Sequence, residues 1–272
     1  MRRIKDHTFE KLQYIRKYVS AYLVATKSIR VKYYIDAFSG TGKCVLCSES
    51  CNSKGSKCNC GKGKIVDGSA MVVIKQPQKF SKYFLFELGP KNFKELVKCL
   101  ESESGDKLKL IETVKGDCNI EIPKIIGKLN GFGSCLALLD PEGPELDWKT
   151  IESLAKFRRM DLLVLFPYDM ALSRLVKDYQ EKNDYFFGSK EWQSAHASAP
   201  TIQSRRTKML EYFTNNLKDL GFTHIVSKLI KSRYRGGNPL YHFILASRYN
   251  VAAKIMNDIF EKSLDTQRKL FK

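Results

Sequence analysis

A doubly wound α/β sheet, mostly parallel with an antiparallel C-terminal edge hairpin, is the fold this sequence predicts. Three observations carry it. Short apolar runs alternate with helix-patterned segments from Val31 to Phe166; a glycine pair, Gly40 and Gly42, directly follows the first run; and acids close successive runs, as Glu87 and Asp117 do. Strands and helices alternating at this spacing give a parallel sheet whose strand carboxyl ends share one crevice.

In chain order, Phe9, Leu12, Ile15, Val19, Tyr22 and Leu23 recur at three- and four-residue steps, which predicts an amphipathic helix from His7 to Ala25. Val31 to Phe38 reads as a strand. After the cysteine-rich stretch, Gly68-Ser69-Ala70 opens a helix over Met71 to Lys75, and Tyr83 to Glu87 is a strand. Asn92 to Leu100 reads as helix, Lys107 to Val114 as extended, Ile120 to Leu129 as helix, and Ser134 to Leu139 as a buried strand ending in Asp140-Pro141. Trp148 to Phe157 is helical in pattern, and Asp161 to Phe166 is a fifth buried strand. The character changes after Pro167: Arg174 to Phe187 has a helical pattern, and Gly188 to Ser204 is polar around Trp192 and His196. Residues 170–204 therefore read as a lid or substrate-facing insertion. Arg205 to Leu220 is a helix with Gly221 as its C-cap. Two strands, Phe222 to Ile230 and Tyr241 to Arg248, are joined by the turn Arg235-Gly236-Gly237-Asn238, and a helix from Val251 to Leu264 follows. One domain over 1–272, with insertions at 43–64 and 170–204, accounts for the chain.

A chain of 272 residues that is 43% apolar and 11% aromatic can bury a full core. No stretch approaches the roughly 18 uninterrupted apolar residues of a membrane span. The first residues lack the apolar run of a signal peptide. A cytoplasmic protein is expected, in which clustered cysteines hold metal more often than disulfides. The net charge of +18 favours contact with a polyanion, nucleic acid first, although spread lysines also serve simply as solubilising surface.

Cys44, Cys47, Cys51, Cys58 and Cys60 fall between Gly42 and Gly68, among Gly, Ser, Lys and Asn residues that cannot build a core. Four thiolates satisfy tetrahedral zinc and would contribute folding free energy to such a segment. The preferred set is Cys44, Cys47, Cys51 and Cys58, with Cys60 able to replace Cys58. An iron–sulfur cluster is the second choice, because the spacing does not match a ferredoxin run. Cys99, Cys118 and Cys135 also read as small buried hydrophobes.

Glu87 lies 45 residues past Gly42, and removing Cys44 to Gly63 brings that interval to 25, near the roughly 20 of a ribose-binding acid in a βαβ unit. The strand ends carrying Asp36, Gly40 and Gly42, then Glu87, then Asp117 converge on one crevice. With no Walker lysine and no full Gly-x-Gly-x-x-Gly, they suit a cofactor with an amino-acid part, a ribose diol and an adenine amine. Helix capping is the plainer use of each acid alone.

The segments Tyr34-Ile35-Asp36-Ala37-Phe38-Ser39-Gly40-Thr41-Gly42, Gly68-Ser69, Phe86-Glu87, Gly116-Asp117 and Leu138-Leu139-Asp140-Pro141-Glu142-Gly143 resemble the S-adenosylmethionine-dependent, Rossmann-like methyltransferase fold. With His7 and Lys11, Leu165-Phe166-Pro167 and Leu240-Tyr241-His242-Phe243, the chain is similar to the bacterial three-Cys-motif partner protein family over most of its length. The cysteine-dense segment departs from that family's pattern. The resemblance implies S-adenosylmethionine, with Asp36, Phe38, Gly40 and Gly42 around its methionine part. It also implies Glu87 on the ribose hydroxyls and Asp117 on the adenine amine, with Cys118 beside it.

Asp140-Pro141-Glu142 stands where exocyclic-amine methyltransferases carry Asp/Asn-Pro-Pro-aromatic, a motif whose side-chain oxygen and backbone carbonyl hold a target NH2 in near-attack geometry. Asp140, Pro141 and Glu142 are thus the candidate catalytic residues, Glu142 as an optional proton acceptor. Tyr168, Phe186, Phe187, Trp192 and Tyr234 are available to stack a base, although core packing is the commoner use of each. The expected function is methylation of an exocyclic base nitrogen of a nucleic acid, RNA or DNA. The alternative is a non-catalytic nucleic-acid-binding accessory protein of the same fold that works with a separate partner enzyme.

Overall fold

The computed structural model describes residues 1–47, 63–173, 180–232 and 237–269. Strand β1 (Arg2–Ile4) leads into α1 (Asp6–Ala25), whose buried stripe runs through Lys11, Tyr14, Tyr18 and Tyr22 at helical steps. β2 (Lys32–Asp36) is followed by β3 (Lys43–Leu46), β4 (Lys64–Asp67) and α2 (Ser69–Ile74). β5 (Lys82–Glu87), α3 (Pro90–Glu103), β6 (Ile111–Lys115) and α4 (Cys118–Ile126) continue the alternation. β7 (Ser134–Leu139), α5 (Trp148–Ala155) and β8 (Met160–Phe166) complete the parallel part. A π-turn over Tyr168–Leu172 precedes α6 (Gln180–Phe187), α7 (Trp192–Ala197) and α8 (Ile202–Asp219). β9 (His224–Lys231), β10 (Pro239–Ser247) and α9 (Asn250–Lys269) close the fold. No helix among the described residues is long and apolar enough to cross a membrane.

Seven strands form one sheet in the order β6-β5-β2-β7-β8-β10-β9. All neighbours are parallel except β10, which runs antiparallel to both β8 and β9. The chain starts in the middle, steps outward through β5 and β6, then returns to β7, so the order reverses between β2 and β7. That reversal opens a crevice at the strand carboxyl ends. This is the Rossmann-like methyltransferase sheet with its antiparallel C-terminal edge hairpin.

Alternate side chains along each strand feed two cores. Tyr34, Leu136, Leu138 and Leu163 pack with α1, α2 and α9 on one face. Ile35, Ala137, Leu139 and Phe166 pack with α4, α5 and α8 on the other. A second, three-stranded sheet, β1-β3-β4, pairs the N-terminal strand in parallel with β3, while β3 and β4 run antiparallel. The expected insertion therefore enters and leaves through a two-stranded stem, and residues 48–62, including Cys51, Cys58 and Cys60, lie outside the described residues.

One element differs from the sequence reading. Gly105–Leu110 is a 3-10 helix, not the start of a strand, and the Lys107 ammonium donates to the Ile74 carbonyl at 2.6 Å and also to that of Gln76. Within the expected 170–204 insertion, Phe186, Phe187 and Trp192 are buried in the second core, while Glu181, Lys182 and Tyr185 of α6 face the cleft beyond β5. The Trp192 indole donates to Asp184 at 2.8 Å. Gly221 takes the predicted αL position, φ +89°, after α8.

Arg248 follows β10 and closes the amino-terminal edge of the sheet. Its guanidinium donates to the carbonyls of Ala155 and Leu220 at 2.7 and 2.9 Å and of Phe157 at 3.1 Å, and it lies 4.7 Å over the Phe222 ring. Arg248→Ala is expected to destabilise the protein by about 2 to 3 kcal/mol, since charged hydrogen bonds contribute about 1.5 to 3 kcal/mol. A urea titration with an unchanged midpoint would refute this.

Candidate active site

The loop after β2 is shaped by glycine and by one buried acid. Gly40 and Gly42 have φ of +63° and +76°, the left-handed region that residues with a Cβ avoid. A Cβ on Gly42 would also stand 3.1 Å from the Cys99 sulfur, and the Gly42 carbonyl accepts the Gly68 amide at 2.7 Å. Asp36 is fully buried beneath this turn. Its Oδ1 accepts the Phe38 amide at 3.2 Å, and its Oδ2 accepts the Ser69 hydroxyl at 2.7 Å. Burial raises its pKa from 3.8 to about 7; the Ser69 bond opposes the rise and the Asp140 carboxylate adds to it.

Glu87 ends β5 and spans two loops. Its Oε2 accepts the Gly40 amide at 2.9 Å, while Oε1 accepts the Gly89 amide at 2.8 Å and the Asn92 side-chain amide at 3.3 Å. Asp117 caps α4, accepting the Asn119 amide at 2.9 Å. The capping use expected for the acids is therefore realised for Asp117. Each carboxylate still has acceptor capacity facing the crevice. Phe38, Glu87, Gly116, Asp117 and Cys118 share a cleft of about 590 Å³ with Glu142, whose far wall includes Tyr185 of α6. Burial and Asp117 raise the Cys118 thiol to about 12, so it stays protonated. The cleft wall carries Glu87, Asp117, Glu142, Glu145, Asp147 and Glu181 against Lys182, an acidic lining in a protein of net charge +18.

Asp140 and Pro141, at the end of β7, line a small adjoining pocket with His7, Lys11 and Tyr241. Glu142 lines both spaces. The Lys11 ammonium pairs with Asp140 Oδ2, and Arg2 pairs with Glu142. The Tyr241 hydroxyl donates to the His7 carbonyl at 3.1 Å and so seats the start of α1 on β10. Sequence reasoning had no partner for Lys11. The available signal was a lysine in the buried stripe of α1, one turn from His7, where an apolar residue is expected.

The aromatic residues considered for stacking are used in the core. Tyr168, Phe186, Phe187 and Trp192 are each 2% exposed or less, so they are not available to a base in this arrangement. Tyr234 lies outside the described residues. Phe38 and Tyr185, half-buried and exposed at the cleft, are the aromatic rings a ligand there can reach. Of the five clustered cysteines only Cys44 and Cys47 are described. Cys44 packs against the first core and Cys47 is buried. Among the described residues no group of three or more His, Cys, Asp or Glu side chains is arranged to hold a metal. Cys135 is fully buried in the second core, as its reading as a small hydrophobe requires.

The Asp36 geometry sets a pH dependence. Its pKa is higher folded than unfolded, so its contribution to stability is fully present below about pH 4 and is lost as pH rises through about 7. Asp36→Asn is expected to flatten that decline. Urea midpoints between about pH 4 and about pH 8 with the same slope in both proteins would exclude Asp36 as its source.

No family model matches the chain, and no curated protein matches it. Among solved structures, it is similar to a Legionella pneumophila (strain Philadelphia 1) protein assigned to DUF519, at 14% identity and a TM-score of 0.58 over 94% of this chain and 90% of that one. It also resembles TYW2 of M. jannaschii in complex with AdoMet, at 10% identity and a TM-score of 0.42, covering 89% of this chain and 75% of that one. A third similarity is to the METTL16 methyltransferase domain, at 11% identity and a TM-score of 0.45, covering 85% and 65%. Strand order and direction assign the chain to the Rossmann-like methyltransferase fold.

Proposed function

We propose that this protein is an S-adenosylmethionine-dependent methyltransferase that acts on an exocyclic nitrogen of a nucleic-acid base. One observation carries the reading: the cleft lined by Glu87 and Asp117 adjoins the Asp140-Pro141 pocket at Glu142. A donor site and an acceptor site thus meet at a strand-order reversal. The acidic lining favours a cationic cofactor over a phosphate-bearing one, because like charges confined in a cleft repel. The remaining positive surface suits a polyanionic substrate.

In this reading the turn around Asp36, Phe38, Gly40 and Gly42 takes the methionine part of the cofactor. Glu87 accepts from the ribose hydroxyls, and Asp117 accepts from the adenine amine beside Cys118. Bound S-adenosylmethionine supplies an electrophilic methyl group. Asp140 Oδ1 and the Asp140 carbonyl accept the two N–H groups of the target amine, with Pro141 fixing the backbone, so the nitrogen lone pair faces the cleft. Lys11 holds the carboxylate in that orientation through Oδ2. Glu142 or solvent takes the proton after transfer. His7, Lys11 and the Asp140-Pro141-Glu142-Gly143 run support kinship with the three-Cys-motif partner proteins.

Glu142-Gly143 in place of Pro-aromatic after Asp140-Pro141 supports a second reading, in which the same fold serves as a non-catalytic nucleic-acid-binding accessory protein with a separate partner enzyme. Zinc in the cysteine-rich segment stays a proposal resting on cysteine spacing. Elemental analysis is expected to find about one zinc per chain, lost on joint Cys51→Ser and Cys58→Ser substitution; metal-free native protein would remove it.

Calorimetric titration with S-adenosylmethionine is expected to show binding that Glu87→Ala weakens by about tenfold or more, or about 1.4 kcal/mol. Asp140→Ala is expected to spare that binding and lower methyl transfer to RNA or DNA by about 100-fold or more. Binding without transfer in the native protein would favour the accessory reading. Absence of binding would sink the methyl-donor site.

A further inference from the structure

The end of the sheet opposite the cleft holds a polar arrangement that the methyltransferase reading does not use. Asp161, the second residue of β8, is 7% exposed. Its carboxylate accepts the Tyr18 hydroxyl at 2.8 Å and the Ser247 hydroxyl at 2.6 Å. Both partners are neutral, and burial raises its pKa. A buried carboxylate without a cation is costly. Beside it, Tyr22 and Ser134, 5% and 2% exposed, have hydroxyls that interact with each other but complete no well-formed hydrogen bond. Tyr22 neighbours both Asp161 and Ser134, so two poorly bonded hydroxyls and a carboxylate without a cation sit together.

These residues line a cavity of about 170 Å³ whose other walls include Ile29, Ala252 and Ile255, with Tyr249 also lining it. An apolar cavity of about 150 Å³ is large enough for benzene. Arg159 also lines the cavity, but its guanidinium donates to the Phe132 carbonyl at 2.6 Å and not to Asp161.

We propose that this cavity is a binding site for a small primary amine whose ammonium group rests on Asp161, Tyr22 and Ser134 and whose apolar body fills the space toward Ile29 and Ile255. An ammonium has three donors and needs three acceptors; Asp161 and the two hydroxyls, after rotation about their C–O bonds, supply them. A neutral ligand would leave the carboxylate uncompensated, and an anion would oppose it. The site is independent of the methyl-donor cleft.

The test is calorimetry on the full chain with 2-phenylethylamine and its neutral counterpart 2-phenylethanol. The amine is expected to bind about tenfold or more tighter than the alcohol. Tyr22→Phe and Ser134→Ala are each expected to weaken amine binding several-fold with little change in melting temperature, because each removes a buried hydroxyl that completes no well-formed hydrogen bond. Equal affinity for amine and alcohol, no amine binding, or native affinity in both hydroxyl variants would each overturn the proposal.

Discussion

The carboxylate of Asp36 is the constraint on which the site depends. It sits at the end of the central strand, with no solvent contact, and its two oxygens are shared between the chain that follows β2 and the first residue of α2. The Ser39 hydroxyl bonds the Asp36 carbonyl at 3.0 Å, and the Ser39 amide bonds the Phe86 carbonyl at 2.9 Å. One acid therefore joins the glycine turn, α2 and the end of β5. Glu87 then ties that turn to the loop after β5. The crevice is held open by carboxylates bonded to backbone amides, and such bonds keep their geometry better than contacts between mobile side chains.

Charge is distributed with the same economy of position. Acids gather on the cleft, while the excess of Lys and Arg lies elsewhere on a protein of net charge +18. Both cations that line the Asp140 pocket are paired, Lys11 with Asp140 and Arg2 with Glu142, and farther along the chain Lys43 and Lys75 pair with Glu103. A polyanion approaching this face meets fixed ion pairs, whose exposed members are cheap to exchange. Lys11 is different, being almost fully buried where it pairs with the acid that follows β7.

Much of this was legible in the sequence for physical reasons. Apolar runs of strand length between helix-period segments leave few ways to fold except a parallel sheet, and Ser134–Leu139 appears with the boundaries its pattern indicated. The acids at strand ends were visible because each directly follows a buried run, although capping alone also accounts for Asp117. Lys107 to Leu110 was misread because its alternation imitates a strand, while a tertiary demand, the capping of the Ile74 and Gln76 carbonyls by Lys107, imposes a 3-10 turn. The aromatic residues of α6 and α7 looked available because core and surface rings have the same spacing. Only the packing of Phe186 and Phe187 onto Phe166, and of Trp192 onto Phe187, separates the two cases. The Lys11–Asp140 pair spans 129 residues, beyond any local pattern.

The stem formed by β3 and β4 has a consequence for how this chain tolerates change. Lys43 stands opposite Asp67 and Leu46 opposite Lys64, so the excursion beyond Leu46 departs and returns at neighbouring points. Each doubling of a flexible loop closed by such a stem costs only about 0.6 kcal/mol of closure entropy. What lies beyond the stem can be lengthened, shortened or replaced with little strain transmitted to the Gly42–Gly68 clasp. The position is a graft point, where a recognition module could be exchanged while the sheet and its crevice stay as they are.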